Sequence, residues 1–175
     1  MQLKKRVLKI CRVGIFAALL AIAAMIHIPF PIPVTLQSFV LFILAGILGP
    51  SEALSATAVY LLLGCLGLPI FSAFSGGIGT LLGPGGGFLM GFIPVVLLCS
   101  YFNQKSHSLL YRYIVAILGM LVLYVGGAGW YALTYAKHNV MANCILPFLL
   151  PDAIKIALAV PIALRLSKML RLKTK

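Results

Sequence analysis

Residues 146–166 read LPFLLPDAIKIALAVPIALRL. A helix crosses a hydrocarbon core of about 30 Å with about 20 apolar residues, and this run is long enough. Yet Asp152 and Lys155 lie inside it, with Pro151 and Pro161 on the same segment. A charge at mid-membrane costs about 2.5–3.5 kcal/mol on insertion scales, so such residues face a protein interior or a watery cavity. Spaced three apart, the two share one helix face. The segment therefore reads either as the wall of a polar site inside a membrane bundle or as an internal ion pair that neutralises itself.

The rest of the chain agrees with a membrane setting. Hydrophobic residues fill 62% of the 175 positions and charged residues only 9%, against roughly 25% charged in soluble domains. Glu52 and Asp152 are the only acidic side chains. No arrangement of this composition covers a water-facing surface, so the lipid bilayer is the solvent. Apolar runs and their breakers predict an all-α integral membrane protein, a bundle of about six transmembrane helices in one membrane-embedded domain over 1–175. The spans are expected near 10–28, 35–48, 53–68, 84–102, 111–135 and 146–166. The second and third are short, and are expected to extend into neighbouring turns or to sit in a thinner part of the bundle.

Charge placement sets the orientation. The net charge of +12 is concentrated at the ends, in Lys4, Lys5, Arg6, Lys9 and Arg12 and in Arg165, Lys168, Arg171, Lys173 and Lys175. With both termini cytoplasmic, these residues fall inside together with Lys105 and Arg112, and Lys137 alone falls outside, as the positive-inside rule requires. Basic clusters flanking apolar spans meet anionic lipid, so no nucleic acid is expected as a partner. Lys4–Arg6 before an apolar run resembles a signal peptide, but Ala21-Ile22-Ala23 lies within that run rather than after it, so the first helix is expected to be retained.

Catalysis and metal binding have little to work with. Cys11, Cys65, Cys99 and Cys144 form no CxxC pair and read as small apolar residues. His27, His107 and His138 are isolated; His27 and His138 suit a membrane interface and His107 a cytoplasmic turn. No GxxxxGK[ST] occurs, and Gly77-Ile78-Gly79 lacks the strand and acidic residue of a dinucleotide site. Any ATP is hydrolysed by another protein.

Two outer connections, 29–34 and 69–83, carry no charge and are rich in Pro, Gly, Phe and Ser. Irregular backbone at membrane depth is tolerated where it is buried in protein or lines a cavity. Ser72, Ser75 and the amides of Gly76, Gly77 and Gly79 are therefore candidates to face a ligand; a loop folded over the bundle without one is the alternative. Thr35 and Gln37 stand at the mouth of the second span. The Gln amide offers a donor and an acceptor in one plane, suited to an amide- or urea-like ligand, although a solvated helix start with Thr35 as a partial cap fits equally well. Gly14, Ala17, Ala18 and Ala21 make overlapping small-xxx-small pairs on the first helix, which suit packing within the bundle or an interface with another subunit. Gly87 and Gly91 suit internal packing. Tyr124, Trp130, Tyr131 and Tyr135 read as an aromatic belt and packing, with one of them able to stack on a ligand.

Several motifs in one order carry a family resemblance across nearly the whole chain. Ile28-Pro29-Phe30-Pro31-Ile32-Pro33-Val34-Thr35-Leu36-Gln37 resembles the first-loop signature of BioY, the biotin-binding S component of energy-coupling factor (ECF) importers. So do Gly67-Leu68-Pro69-Ile70-Phe71, Phe74-Ser75-Gly76-Gly77-Ile78-Gly79 and Gly83-Pro84-Gly85-Gly86-Gly87-Phe88-Leu89-Met90-Gly91-Phe92. Pro147 and Leu150-Pro151-Asp152-Ala153-Ile154-Lys155 are similar to the family's closing motif. The resemblance implies a six-helix subunit of a bacterial plasma membrane that captures biotin near the outer face. Its implied partners are an EcfT-type transmembrane coupling protein and separate ATPase subunits, with no cofactor and no catalytic or metal site. It shifts Gly14, Ala17, Ala18 and Ala21 towards the coupling interface. Asp152 is expected to accept from the ureido N–H groups, and Lys155 to pair with Asp152 or meet a ligand oxygen. Thr35, Gln37, Ser72, Ser75, Gly76, Gly77 and Phe88 complete the expected shell.

Two departures bear on the site. Ser72-Ala73 stands where family members often have a polar residue such as Asn, and the 126–135 stretch matches less closely. Rival readings are an S component for another vitamin such as riboflavin or thiamine, an intramembrane enzyme, and a structural membrane subunit without a ligand.

Overall fold

The computed structural model describes residues 2–30, 32–135 and 139–172, with backbone alone for Lys5, Arg171 and Leu172. The expectations for Pro31, Lys137, His138, Lys173 and Lys175 lie outside the described residues, as do those for the side chains of Lys5 and Arg171. The chain is helical almost throughout. It runs through α1 (Gln2–Met25), α2 (Gln37–Ile47), α3 (Pro50–Cys65), a short α4 (Ile78–Leu82), α5 (Gly86–Asn103), α6 (Leu109–Thr134) and α7 (Leu146–Leu172). A π-helical turn, Met141–Ile145, leads into α7.

Four helical stretches among the described residues are long and apolar enough to cross a membrane: Gln2–Met25, Gly86–Asn103, Leu109–Thr134 and Met141–Leu170. The other two main helices are shorter. At 1.5 Å per residue, the 11 residues of α2 rise about 16 Å and the 16 of α3 about 24 Å. Both end early for identifiable reasons. Gly49-Pro50 separates them, Pro50 being the first residue of α3, where its missing N–H costs nothing. Before α2, two dipeptides, β1 (His27–Ile28) and β2 (Val34–Thr35), pair antiparallel as a short clip. Leu36 N–H donates to Ile26 O at 3.1 Å beneath it.

The helices pack chiefly as α5 on α6, α2 on α7 and α1 on α3, with Leu20, Leu41, Leu44, Tyr60, Phe71, Val95, Val96 and Ala159 in the core. Gly87 faces Trp130 and Gly91 faces Leu123, so the Gly87/Gly91 pair lies in the α5–α6 contact. Leu62, Ile117, Leu121, Val125, Leu150 and Ile154 are exposed, as suits helices whose outer faces meet lipid.

The two ends of the bundle differ. At one end, Arg12 pairs with Glu52 at 3.5 Å and Lys9 Nζ donates to Ser51 Oγ at 3.1 Å. Arg112 is buried there, donating to the carbonyls of Gly46 (3.1 Å), Asn103 (3.3 Å) and Ser106 (3.4 Å). The first two lie at the C-terminal ends of α2 and α5, where the helix dipole favours a cation. At the other end lie the clip, the segment 66–85 and the first turns of α7, and a cavity opens between them.

Candidate functional site

The cavity encloses about 410 Å3, within the range of about 300–1,000 Å3 typical of small-molecule sites. Its walls come from every part of the loop end: Thr35, Gln37 and Ser38 from the clip and α2, Ser72, Ala73, Ser75, Gly79 and Thr80 from the 66–85 segment, Phe88, Leu89 and Phe92 from α5, Leu123 from α6, and Phe148, Asp152 and Lys155 from α7.

Asp152 and Lys155 are 3% and 7% exposed. Lys155 Nζ lies 2.7 Å from Asp152 Oδ1, as the i, i+3 spacing on one helix permits. Ser38 closes a triangle with them: its hydroxyl donates to Asp152 Oδ1 at 3.3 Å and accepts from Lys155 Nζ at 3.2 Å. The second carboxylate oxygen accepts from the Tyr124 hydroxyl at 2.9 Å. Both charges are thus paired and bonded, the condition under which burial is tolerated.

Gln37 is equally fixed. Its Nε2 donates to the Tyr60 hydroxyl, and its Oε1 accepts from Thr35 Oγ1 at 2.8 Å. Thr35 Oγ1 also accepts weakly from Gln37 N–H at 3.4 Å, so Thr35 acts both as a partial helix cap and as a support for the amide. The Tyr60 hydroxyl passes the chain on to Ile70 O at 3.3 Å, tying the pocket to the loop above it.

The 66–85 segment is folded over the bundle and held from below. Phe71 is fully buried, edge-on to Tyr60 with 5.5 Å between centroids. It fits because position 64 is glycine: a Cβ there would stand 2.1 Å from the Phe71 ring. Past this anchor the backbone turns through left-handed conformations at Ala73 (φ 55) and Phe74 (φ 56), then at Gly77 (φ 86). Such values are strained for residues with a Cβ, and the turn is closed by Ser75 Oγ donating to Ser72 O at 2.7 Å. From α6, Trp130 Nε1 donates to Gly83 O at 3.1 Å, and the Tyr135 hydroxyl just beyond donates to Leu82 O at 2.7 Å. The apolar wall is aromatic. Phe88 and Phe148 stack at 5.4 Å and 13°, and Phe88 lies against Gly127, where a Cβ would approach its ring to 2.4 Å.

Of the residues singled out from sequence, Asp152, Lys155, Gln37, Thr35, Ser72, Ser75 and Phe88 meet at this cavity. Gly76 and Gly77 do not line it; they shape the loop, Gly76 lying against Leu68 O and Gly77 donating to Gly64 O at 2.7 Å. Gly79 does line it. The small residues of α1 are divided: Ala17 is buried in the core, Ala21 is half-buried against it, and Gly14 and Ala18 face outward. Sequence reasoning missed Ser38 and read Tyr124, with its aromatic neighbours, as belt and packing or as a ring to stack on a ligand. Both lie far along the chain from Asp152, and a hydroxyl within an apolar run gives no sign of its partner. Trp130 and Tyr135 hold the loop instead of a membrane interface alone. All four cysteines are unpaired, Cys99 and Cys144 buried.

Known proteins are similar to this chain in sequence and in fold. The sequence profile of the BioY family matches residues 1–172. The biotin transporter BioY of Thermotoga maritima is 36% identical over 165 residues, covering 92% of this chain and 96% of that protein. A probable biotin transporter BioY of Pyrococcus horikoshii is 36% identical over 155 residues, 88% and 93% of the two chains. A crystal structure of the S-component for biotin from an ECF-type ABC transporter superposes with a TM-score of 0.88 at 27% identity, covering 96% of this chain and 95% of that one. On sequence and fold alike, the chain belongs to the BioY family.

Proposed function

We propose that this protein captures biotin at the outer face of the membrane and serves as the substrate-binding subunit of an ECF-type importer. It is a transporter subunit and not an enzyme, in keeping with relatives named as transporters. The observation that carries this reading is the cavity itself, which sets a buried acid, ammonium and amide against an aromatic wall. Biotin has the matching parts: a ureido ring with N–H donors and a carbonyl, an apolar thioether ring, and a valerate carboxylate.

In this reading Asp152 accepts from the ureido ring and Lys155 donates to a ligand oxygen. Gln37, held by Tyr60 and Thr35, supplies a fixed amide. Phe88, Phe92 and Phe148 receive the thioether ring, while Ser72, Ser75 and Thr80 close the polar rim. The 66–85 segment excludes water, which strengthens each polar contact beneath it.

The chain crosses the plasma membrane six times with both termini cytoplasmic. The Arg12–Glu52 and Arg112 end faces the cytoplasm, and the cavity faces outward. An EcfT-type coupling protein and ATPase subunits complete the importer, and the outward-facing Gly14 and Ala18 of α1 offer the coupling protein a close approach. Radiolabelled biotin retained by the purified chain, and displaced by excess cold biotin but not by riboflavin or thiamine, is the expected result. Retention of riboflavin or thiamine in place of biotin would assign the pocket to another vitamin.

A further inference from the structure

Most of the hydrogen-bonding capacity of the Asp152–Lys155 pair is spent within the protein. A carboxylate offers about four acceptor sites and an ammonium three donors. Asp152 Oδ1 already accepts from Lys155 and Ser38, and Oδ2 accepts from Tyr124. One acceptor site remains, on Oδ2. Lys155 already donates to Asp152 and to Ser38, so one N–H remains. Ser38 has given its single proton to Asp152 and accepts from Lys155, so it has no donor left and one lone pair remains on its oxygen.

Resting on the assignment of the cavity to biotin, we infer that the Asp152–Lys155 pair reads a single edge of the ureido ring, one N–H together with the carbonyl, and that Tyr124 is the positioning residue that imposes this limit. In a five-membered cyclic urea each N–H lies on the same side as the carbonyl, and the two N–H groups diverge. One acceptor beside one donor therefore matches one N–H/C=O edge, and the second N–H is left to another part of the pocket. Tyr124 is not among the residues that line the cavity. Its hydroxyl occupies one lone pair of Oδ2 from behind and fixes the plane of the carboxylate, so it acts on the ligand only through Asp152. The specificity that follows is for any compact ring presenting a cis N–H/C=O edge.

Two isosteres of biotin test this, each a cyclic carbamate with one or the other ureido N–H replaced by oxygen. Binding is measured on the purified full chain in detergent. A hydrogen bond to a charged group is worth on the order of 10- to 100-fold in affinity. The carbamate lacking the N–H read by Asp152 should therefore bind about 30-fold more weakly than biotin, and a contrast of at least about 5-fold between the two carbamates is required. Equal losses for both, or none for either, overturns the single-edge reading. Tyr124→Phe keeps the ring and removes the donor. It should weaken biotin about 10-fold while leaving the discriminated carbamate within about 2-fold. An equal loss for both ligands marks a merely structural role and removes Tyr124 from the proposal, as does no loss for biotin. The wild-type comparison needs no variant, so it decides the edge even if Tyr124→Phe does not fold. Absence of biotin binding by the wild-type chain refutes the transport assignment itself, a result distinct from any pattern among the carbamates.

Discussion

At Asp152 recognition and stability share the same atoms and can be separated by substitution. Asp152→Asn removes the charge and keeps the shape. It should lower biotin affinity about 30-fold or more, measured by equilibrium binding on purified protein, with insertion into the membrane unchanged. Lys155→Met strands Asp152 as a buried charge without its counter-ion, as Asp152→Asn strands Lys155. Breaking such a pair costs about 3–5 kcal/mol, so thermal unfolding in detergent should fall well below wild type. Combining Asp152→Asn with Lys155→Met removes both charges and should recover much of that thermal stability while biotin binding stays lost. A double variant as unstable as Lys155→Met alone would show that the pair's stabilising role lies elsewhere.

At the scale of elements, the pocket depends on how closely α5, α6 and α7 approach. Gly127 of α6 leaves room for the Phe88 ring, which stacks on Phe148. Gly127→Ala forces that ring to move, and overpacking of this kind costs about 1–3 kcal/mol; biotin affinity should fall about 10-fold. Gly129→Ala on the same helix, where a Cβ meets nothing within 4 Å, is the control and should bind as wild type. Equal behaviour of the two variants would mean that the Phe88 wall does not touch the ligand.

The elements also show what the sequence discloses and what it conceals. Apolar runs broken at Gly49-Pro50 and at 83–87 mark the helices because lipid demands continuous apolar stretches. Asp152 and Lys155 are legible for the same reason, since a charge inside such a run needs an explanation. Ser38 and Tyr124 give no such signal. Their contacts with Asp152 span 114 and 28 positions, and a hydroxyl costs too little in an apolar helix to betray its partner. The α1 small-residue pattern was legible as a pattern only. Which residues turn inward depends on where α1 meets α3, and that contact places Ala17 inside and Gly14 outside. The β1–β2 clip is two dipeptides long, below the length at which alternation can be read.

For the whole molecule, the sharpest asymmetry is electrical. Lys9, Arg12 and Arg112 gather at the end opposite the cavity, the end that the proposed orientation turns to the cytoplasm. A fluorescent protein fused after Lys175 should fluoresce in cells, whereas alkaline phosphatase at the same position should be inactive. The reverse pattern would refute six crossings with both termini inside.

The closed triangle of Lys155, Ser38 and Asp152 also bears on departure. Because these groups satisfy one another, a cargo that uses only their remaining sites strands no charge and tears no ion pair from the wall when it leaves. The rate of cargo escape should then follow the roof pinned by Phe71, with the polar floor left intact for the next round.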